Sequence, residues 1–334
     1  MMYQTIEASV EWTWEMTLPL VLIVVFMGLG IPMWVSMGIG VSLLLFLTET
    51  LPLSLIGETL FEGMDAFALL AVPLFILTGD ALVRTGLSNK LLKIAEATAG
   101  SLRSGFGSAT VLGCGFFSCI SGSDAAGCAS IGRMTIDRLV ESGYPRSYAA
   151  ALVAAGSCTG ILIPPSIPLI IYGVVTETSI PTLFLAGIGP GLFLASLFIF
   201  YSMIYARFGG EFTAAPRASW AERGRTGLLA LPTLFLAAAV IGSIYLGIAT
   251  PSESAGVGFV LAIIMTSLMG RMNIDRIKEA VYDSMKTTTM IFLIIAGAKV
   301  FSYAITLYRI PQDISDLLTT NISDPMLFIL AVGL

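Results

Sequence analysis

The chain has 334 residues, of which 56% are hydrophobic and only 12% are charged, with a formal net charge of −5 and no histidine. Soluble domains carry about 25% charged residues, so this composition excludes an ordinary soluble protein. The absence of histidine also excludes imidazole metal sites and Ser-His or Cys-His catalysis. Long apolar runs recur along the whole chain, and lipid leaves no partner for an open backbone. We therefore predict an all-α polytopic membrane protein.

The apolar segments predict the helices in chain order. They fall at about 17–48, 66–83, 104–120, 125–140, 147–176, 181–206, 227–246, 252–269 and 288–306, with a further one from about 325. Residues 1–16 form a predicted N-terminal extension. The first segment is too long for one straight crossing and short for two, and Gly28, Gly30 and Pro32 mark where it could break. No Lys or Arg flanks it, which favours two crossings.

Positive charge predicts the orientation and the domain organisation. Lys and Arg accumulate in the connections at 84–103, 138–146, 207–226 and 271–286. Such clusters face the cytoplasm. The longest connection, 207–226, is predicted to be a cytoplasmic linker between a first half at 17–206 and a second half at 227–334.

The stretch SCISGSDAAGCASIG, 118–132, places small and polar residues between two apolar arms. Both outer ends of these arms are predicted to be cytoplasmic, so the arms either cross fully or return as a re-entrant hairpin at about 104–140. The arms have about 16 residues each, fewer than the roughly 20 that a full crossing needs. The turn at 121–124 has no loop that could reach the far side, which favours the hairpin. Irregular backbone at membrane depth is tolerated only beside protein or a watery cavity.

A second break is predicted within GSCTGILIPPS, 156–166, because glycines and consecutive prolines do not fit one continuous helix. We expect the helix at 147–176 to break near 156–163 and to resume at Pro164, a position that suits a first helical turn. A kinked structural helix is the alternative. Half-helices that end in the membrane expose carbonyls to Na⁺, and those that begin there direct amides at an anion.

Hydroxyl groups near both breaks supply further oxygen ligands, from Ser121, Ser123, Ser157 and Thr159. Asp124 follows the predicted tip of the hairpin. An ionisable residue at membrane depth is a functional candidate, so Asp124 is a cation ligand or a proton carrier. A helix N-cap is an equally good explanation of its position.

Several spaced motifs resemble the large membrane subunit of TRAP (tripartite ATP-independent periplasmic) transporters. They are ISGSDAAGCASIG, GSCTGILIPPSIPLIIYG, GIATPSESA, FSYAITLYRIPQ, PLFILTGDALVRTGL and PTLFLAGIGPGL. The resemblance covers residues 17–334. It implies an elevator-type importer of the bacterial inner membrane, with two inverted repeats, re-entrant hairpins and broken helices. It also implies Na⁺ as the coupling ion, no other cofactor, and an organic acid anion such as a dicarboxylate or sialic acid as substrate.

The resemblance further implies a small four-helix membrane subunit and a periplasmic substrate-binding protein as partners, and no nucleic acid. By motif position, the cation-binding residues are Ser121, Gly122, Ser123, Gly156, Thr159 and Gly160, with Na⁺ at Ser121, Ser123 and Thr159. The substrate-binding residues are Ser123, Asp124, Ser157, Thr159 and Pro164. Asp124 stands where many relatives carry a small neutral residue.

An inverted repeat is faintly visible, because LFILTGDALVRTGL (74–87) resembles FLIIAGAKVFSYAI (292–305) when Gly79 is aligned with Gly297. The second repeat, 227–334, would then stop before its own hairpin tip. We expect residues 1–334 by themselves not to transport, because half of the site lies beyond them.

Two rival functions fit the sequence less well than a transporter does. A membrane scaffold or assembly subunit does not explain two breaks that are rich in Ser, Thr and Gly. An intramembrane enzyme is disfavoured, because the sequence has no histidine, metal motif or nucleophile–base spacing.

Overall fold

The computed structural model describes residues 14–48, 54–102, 104–208, 218–270 and 274–312, together with residues 315, 326 and 327. All regular structure within these ranges is helical. The described part contains α1 (Trp14–Gly28), α2 (Met33–Thr48), α3 (Ser54–Met64), α4 (Ala71–Arg84), α5 (Ser88–Ala99), α6 (Phe106–Ser121), α7 (Asp124–Glu141), α8 (Arg146–Cys158), α9 (Ile167–Val175), α10 (Ile180–Phe208), α11 (Trp220–Tyr245), α12 (Pro251–Leu268) and α13 (Ile274–Leu307). Short 3₁₀ helices lie at Phe67–Leu70 and Thr159–Ile161.

Five helical segments are long and apolar enough to cross a membrane. They are Phe67–Arg84, Ile180–Phe208, Trp220–Tyr245, Pro251–Leu268 and Ile274–Leu307. The prediction of an all-α polytopic membrane protein is confirmed.

The chain divides into two compact units, one formed by Met1–Asp65 with Thr289–Leu334 and the other by Ala66–Thr288. These units are not the predicted repeats, since the first unit takes the outer ends of both halves. The division into inverted repeats stays a prediction. Residues 1–13, most of the predicted linker, and nearly all of the chain after residue 312 lie outside the described residues.

In the first unit, the apolar segment at 17–48 forms two helices. Gly30 joins them with a φ of +80°, a left-handed conformation that other residues rarely adopt. Its amide donates to the carbonyl of Met27, which closes the end of α1 two residues before Pro32. The predicted break at this place is confirmed. The core of the unit brings together α2 and the end of α13, with Val41, Leu44, Val300 and Ala304 among the buried side chains.

The second unit is built around α6, which packs against α5, α7, α8 and α10. Almost every residue of α6 is buried. Its sequence is rich in Gly and Ser, and small side chains let neighbouring backbones approach closely. This helix therefore forms the centre of the unit, and its C-terminal end carries the predicted hairpin tip.

The apolar runs of the sequence do not predict two amphipathic helices, α3 and α5. α3 lies in a stretch that carried no predicted helix, and α5 lies in a segment predicted to be a cytoplasmic connection. In α5, Leu91, Leu92 and Ala95 are buried, whereas Lys93 is exposed. Mean apolarity is low in such a helix because only one face is buried, so a search for apolar runs passes over it.

Candidate ion and substrate site

The hairpin tip is a two-residue turn between α6 and α7. Gly122 ends α6 with a φ of +63°, and its amide donates to the carbonyl of Ser118. Ser121 and Gly122 are buried, and Ser123 is half-buried. The structure thus has the predicted helical hairpin with the predicted turn, and the depth of that turn in the bilayer stays a prediction.

Ser123 caps α7, and Asp124 does not. The Ser123 hydroxyl accepts a 3.3 Å hydrogen bond from the amide of Ala126. The Asp124 carboxylate accepts a 2.8 Å hydrogen bond from the amide of Ala125, inside the first turn. The suggestion that Asp124 is the N-cap is therefore wrong, because the preceding serine already occupies that position with extended backbone angles. The roles of cation ligand and proton carrier stay open for Asp124.

The predicted break is present between α8 and α9. α8 ends at Cys158, the 3₁₀ turn Thr159–Ile161 follows, and α9 begins at Ile167. The prediction that helix resumes at Pro164 is wrong by three residues. Ser166 is the N-cap, and its hydroxyl accepts from the amide of Leu169. Proline has no backbone N–H and disfavours helical angles in the residue before it, so the pair 164–165 delays the new helix until a capping side chain is available.

The two breaks meet in the fold, although they are more than 40 residues apart in sequence. The amide of Ile167 donates a 3.2 Å hydrogen bond to the carbonyl of Gly122. A Cβ atom added to Gly122 would lie 3.0 Å from the carbonyl oxygen of Pro165. The tip of the hairpin therefore rests against the start of α9, with room for glycine alone.

Glycines bring the surrounding helices into close contact with this joint. A Cβ on Gly79 of α4 would lie 2.6 Å from Cβ and 2.9 Å from Cα of Ser121. A Cβ on Gly160 would overlap the side chain of Ser118. Gly160 was predicted as a site residue. The sequence places Gly79 in the alignment of the two repeats and does not predict its contact with the tip.

Two hydroxyls at the joint are fully buried without a hydrogen-bond partner in the described structure, and they belong to Ser118 and Ser157. Both face Gly127 of α7, where an added Cβ would lie 3.3 Å from the Ser118 Oγ and 3.5 Å from the Ser157 Oγ. A buried hydroxyl that lacks a partner loses about 1–3 kcal/mol, so such groups indicate a missing ligand or water. Ser157 is one of the residues predicted from the sequence, whereas Ser118, one helical turn before the tip, is not.

The other predicted residues have local partners. Thr159 is buried, and its hydroxyl donates a 2.7 Å hydrogen bond to the carbonyl of Gly156. The Ser121 hydroxyl donates to the carbonyl of Ser123 at 3.3 Å. Pro164 directly precedes Pro165, whose carbonyl oxygen lies close to Gly122 at the tip. Ser121 therefore lies at the tip of the hairpin, and Thr159 lies in the turn that connects α8 to α9.

The described residues contain no group of three Asp, Glu, Cys or His side chains placed to hold a metal ion. A cation at this joint would be held by hydroxyl and carbonyl oxygens. Such hard oxygen ligands suit an alkali or alkaline-earth ion better than a transition metal.

The open end of the hairpin is closed by a hydrogen bond between its two arms. The Tyr144 hydroxyl, just after α7, donates to the carbonyl of Ser104, just before α6, at 2.6 Å. Tyr144 is 2% exposed, and burial is the main cause that raises the pKa of Tyr144 to about 12. The hydroxyl therefore keeps its proton at neutral pH and remains a donor.

Comparison with known proteins decides the family. The sequence profile described as "Tripartite ATP-independent periplasmic transporter, DctM component" matches residues 20–334. The chain belongs to this family. The membership confirms the resemblance seen in the motifs and places this DctM-family chain in the bacterial inner membrane, as a multi-pass protein.

The similar proteins are transporter permeases and not enzymes. The chain is 36% identical over 276 residues to the C4-dicarboxylate TRAP transporter large permease protein DctM of Pseudomonas aeruginosa. The matched region covers 82% of this chain and 64% of that protein. It is 36% identical to the ectoine/5-hydroxyectoine large permease protein UehC of Ruegeria pomeroyi, over 77% of this chain and 60% of the relative. It is 31% identical to the sialic acid TRAP transporter large permease protein SiaM of Vibrio cholerae. That match covers 87% of this chain and 68% of the relative. The chain spans less than two thirds of the length of the first two relatives.

Proposed function

We propose that this DctM-family chain carries one half of the ion and substrate site of a secondary transporter that imports an organic acid anion together with Na⁺. The observation that carries the proposal is the joint at Gly122 and Ile167, with the unpartnered hydroxyls of Ser118 and Ser157 beside it. Buried polar groups usually have a hydrogen-bond partner, so these two hydroxyls are candidates to bind an ion or a water molecule.

Sodium fits the oxygen groups that the joint offers. Hydroxyls come from Ser118, Ser121, Ser157 and Thr159, and the end of α6 adds backbone carbonyls that have no partner within the helix. The ion would neutralise the carbonyl end of α6, where the helix dipole is negative. The Na⁺ ligands proposed from the sequence were Ser121, Ser123 and Thr159, and Ser118 and Ser157 are added to that set.

An anionic substrate fits the other side of the same joint. α7 and α9 both begin here, each after a serine N-cap. The N-terminal ends of helices carry a partial positive charge and favour anions. The names of similar proteins include C4-dicarboxylate and sialic acid permeases, and both substrate types carry carboxylate groups. Because another similar protein is an ectoine permease, the family name alone leaves the substrate open.

The partners and the mode of transport belong to this proposal as well. A periplasmic binding protein delivers the anion, and a small four-helix membrane subunit supports the permease. The hairpin and the broken helix move together as a body across the membrane, as an elevator mechanism requires. The second inverted repeat supplies the other half of the site.

The test compares two serines that have the same local role. Ser123 caps α7, and Ser219 caps α11 by accepting a 3.1 Å hydrogen bond from the amide of Glu222. We expect Ser123→Ala to abolish Na⁺-dependent uptake in proteoliposomes that hold the complete permease with its partners. Ser219→Ala should keep uptake, although both variants lose a cap that contributes about 0.5–2 kcal/mol.

Expression and the thermal unfolding midpoint of both variants are measured in parallel. Equal uptake by the two variants at equal stability would show that the tip does not bind the ion, and the proposal would fail. Loss of Na⁺-dependent uptake in Ser123→Ala, with uptake kept in Ser219→Ala at equal expression and stability, supports it.

A further inference from the structure

A polar cleft in the second compact unit runs along one face of α7, from the hairpin tip towards the base of the hairpin. It has a volume of about 450 Å³. One wall is formed by residues that share a face of α7, namely Ala126, Ala129, Ser130, Arg133 and Met134. Ala126 lies in the first turn of α7, where its amide donates to the Ser123 hydroxyl at the tip. Arg133 lies about 10 Å further along the helix axis, at 1.5 Å per residue. The cleft therefore connects the surroundings of the tip with Arg133.

The opposite wall of the cleft carries carboxylates that already have a cationic partner. Asp80 of α4 and Asp283 of α13 line the cleft, and both pair with Arg84. Arg84 also pairs with Glu279, so one guanidinium is shared by three carboxylates. This wall therefore keeps a surplus of negative charge, and it directs an anion in the cleft towards α7.

Arg133 is the cation on the α7 wall, and it has no partner in the described part of the chain. Ion pairs among the described residues hold the guanidinium groups of Arg84, Arg138 and Arg146, and none of these pairs involves Arg133. Arg133 is exposed to the cleft. A guanidinium presents five N–H donors in a fixed fork that matches the two oxygens of a carboxylate. Arg133 is therefore free to bind a carboxylate that enters the cleft.

A buried hydroxyl next to Arg133 also lacks a partner. Ser130 lines the cleft and is 8% exposed. Its hydroxyl forms no hydrogen bond with the described residues, whereas the Thr135 hydroxyl on the same helix donates to the carbonyl of Ile131 at 2.8 Å. Buried hydroxyls usually have a partner. The Ser130 hydroxyl is therefore a donor for an oxygen of a molecule bound in the cleft.

We propose that the cleft holds a second carboxylate-binding site, where Arg133 and Ser130 bind the transported anion between the hairpin tip and the cytoplasm. This inference rests on the proposed function. The connections at 84–103 and 138–146, which follow α4 and overlap the end of α7, are predicted to face the cytoplasm, so the Arg133 end of the cleft is the cytoplasmic end. The surplus carboxylates on the opposite wall repel the anion and weaken its binding, which suits a site that the anion must leave.

The experiment measures how fast a cysteine in the cleft reacts with thiol reagents. The cysteine is introduced as Ala129→Cys in the complete permease, in which alanine replaces Cys119, Cys128 and Cys158. Cys114 is fully buried and is kept. Inside-out membrane vesicles present the cytoplasmic face to membrane-impermeant methanethiosulfonate reagents, one anionic and one cationic.

The ratio of the two reaction rates reports the charge beside the cysteine. Arg133 lies one helical turn after Ala129, so it attracts the anionic reagent and repels the cationic one. We expect Arg133→Gln to lower the ratio of the anionic to the cationic rate about fivefold. Arg133→Lys keeps the charge and should keep the ratio.

The matched control is the pair Ala221 and Arg225 on α11, which are also exposed and also one turn apart. Arg225→Gln should lower the ratio at Ala221→Cys and leave the ratio at Ala129→Cys unchanged, and Arg133→Gln should do the reverse. An unchanged ratio at Ala129→Cys in Arg133→Gln would overturn the site. Reaction of Ala129→Cys only in right-side-out vesicles would overturn its connection to the cytoplasm.

Protection by succinate tests the binding of a carboxylate itself. Succinate in excess should slow the reaction of Ala129→Cys with the uncharged N-ethylmaleimide, whereas sodium chloride of equal ionic strength should not. Arg133→Lys loses the fork of donors and should raise the succinate concentration for half-protection about fivefold. Ser130→Ala should raise it to a similar extent without changing the ratio of rates, because it removes a donor and no charge. Absence of succinate protection would overturn the carboxylate assignment.

Expression and the thermal unfolding midpoint are measured for every variant. Met134→Cys, which lies beside Arg133 in the same cleft, takes the place of Ala129→Cys if the latter does not fold. The second site and the proposed function can fail separately, because the labelling measures no uptake. Loss of uptake in Ser123→Ala without succinate protection in the cleft would support the proposed function and overturn the second site.

Discussion

The amide nitrogen of Ile167 lies 3.2 Å from the carbonyl oxygen of Gly122 and donates a hydrogen bond to it. This bond joins the end of α6 to the start of α9. Both groups come from places where a helix is interrupted, so each would otherwise lack its intrahelical partner. The hairpin tip and the broken helix are thus one structural unit, which explains why changes in either are expected to affect the same site.

The contact between Gly79 and Ser121 gives a prediction for α4. In Gly79→Ala, the new methyl group would lie 2.6 Å from Cβ of Ser121. We expect a loss of stability of about 1–3 kcal/mol from overpacking, although alanine favours the helix. The measurement is the thermal unfolding midpoint of the purified permease, together with uptake.

Gly38→Ala on α2 is the matched control, because a Cβ atom there has nothing within 4 Å. It should be neutral or stabilise by about 0.5–1 kcal/mol. If Gly79→Ala unfolded at the same temperature as Gly38→Ala, α4 would not press on the tip as described.

The overlap between Gly160 and Ser118 predicts a rescue. Gly160→Ala should destabilise the permease, because the added methyl group meets both the Cβ and the Oγ of Ser118. Ser118→Gly removes both atoms and should recover part of the loss when the two changes are combined. Residues in direct contact typically show coupling of about 0.5–3 kcal/mol in such a double-mutant cycle. If the effects of the two substitutions on the free energy of unfolding were strictly additive, the contact between Gly160 and Ser118 would be contradicted.

Arg84 at the end of α4 is surrounded by three carboxylates. Its guanidinium lies 2.9 Å from Asp80 and 2.7 Å from Glu279, and it also pairs with Asp283. The Arg84 side chain is 23% exposed, so solvent screens these pairs only in part. Arg84→Gln leaves three like charges together, and we expect a loss of about 1–3 kcal/mol in the free energy of unfolding.

The control for this change is Arg146→Gln. Arg146 pairs with Asp137 at 3.3 Å, and both side chains are about three quarters exposed. Exposed pairs contribute about 0–1 kcal/mol, so the control should change little. Chemical unfolding at low and high salt measures both variants. Equal small effects would show that the carboxylates around Arg84 do not hold α4 against the first part of α13.

The hydrogen bond across the base of the hairpin gives a further prediction. Tyr144→Phe removes the donor to the Ser104 carbonyl at a buried position. A carbonyl left without its partner there should cost about 1–3 kcal/mol in stability. Tyr282→Phe on α13, where the ring is 71% exposed, serves as control. Faster amide hydrogen exchange at the ends of α6 and α7 in Tyr144→Phe alone would confirm that this bond closes the hairpin.

The sequence predicted the class of protein and the positions of both breaks. Apolar run length and the placement of Gly30, Gly122 and the prolines at 164–165 were sufficient, because these residues act through local backbone geometry. The capping box of Thr250 and Glu253 at the start of α12 is a similar local feature. The predicted ends of helices were less accurate than the predicted breaks. The start of α9 was predicted at Pro164 and lies at Ile167.

The tertiary structure decided which groups meet. Only the fold places Ser118 beside Gly160, Gly79 against Ser121, and Ser157 across from Gly127. It also decided that α5 is a helix, since a half-polar segment folds only when neighbouring helices cover its apolar face. Local sequence determines where a helix must stop, whereas long-range packing determines which partners the freed backbone and hydroxyl groups then find.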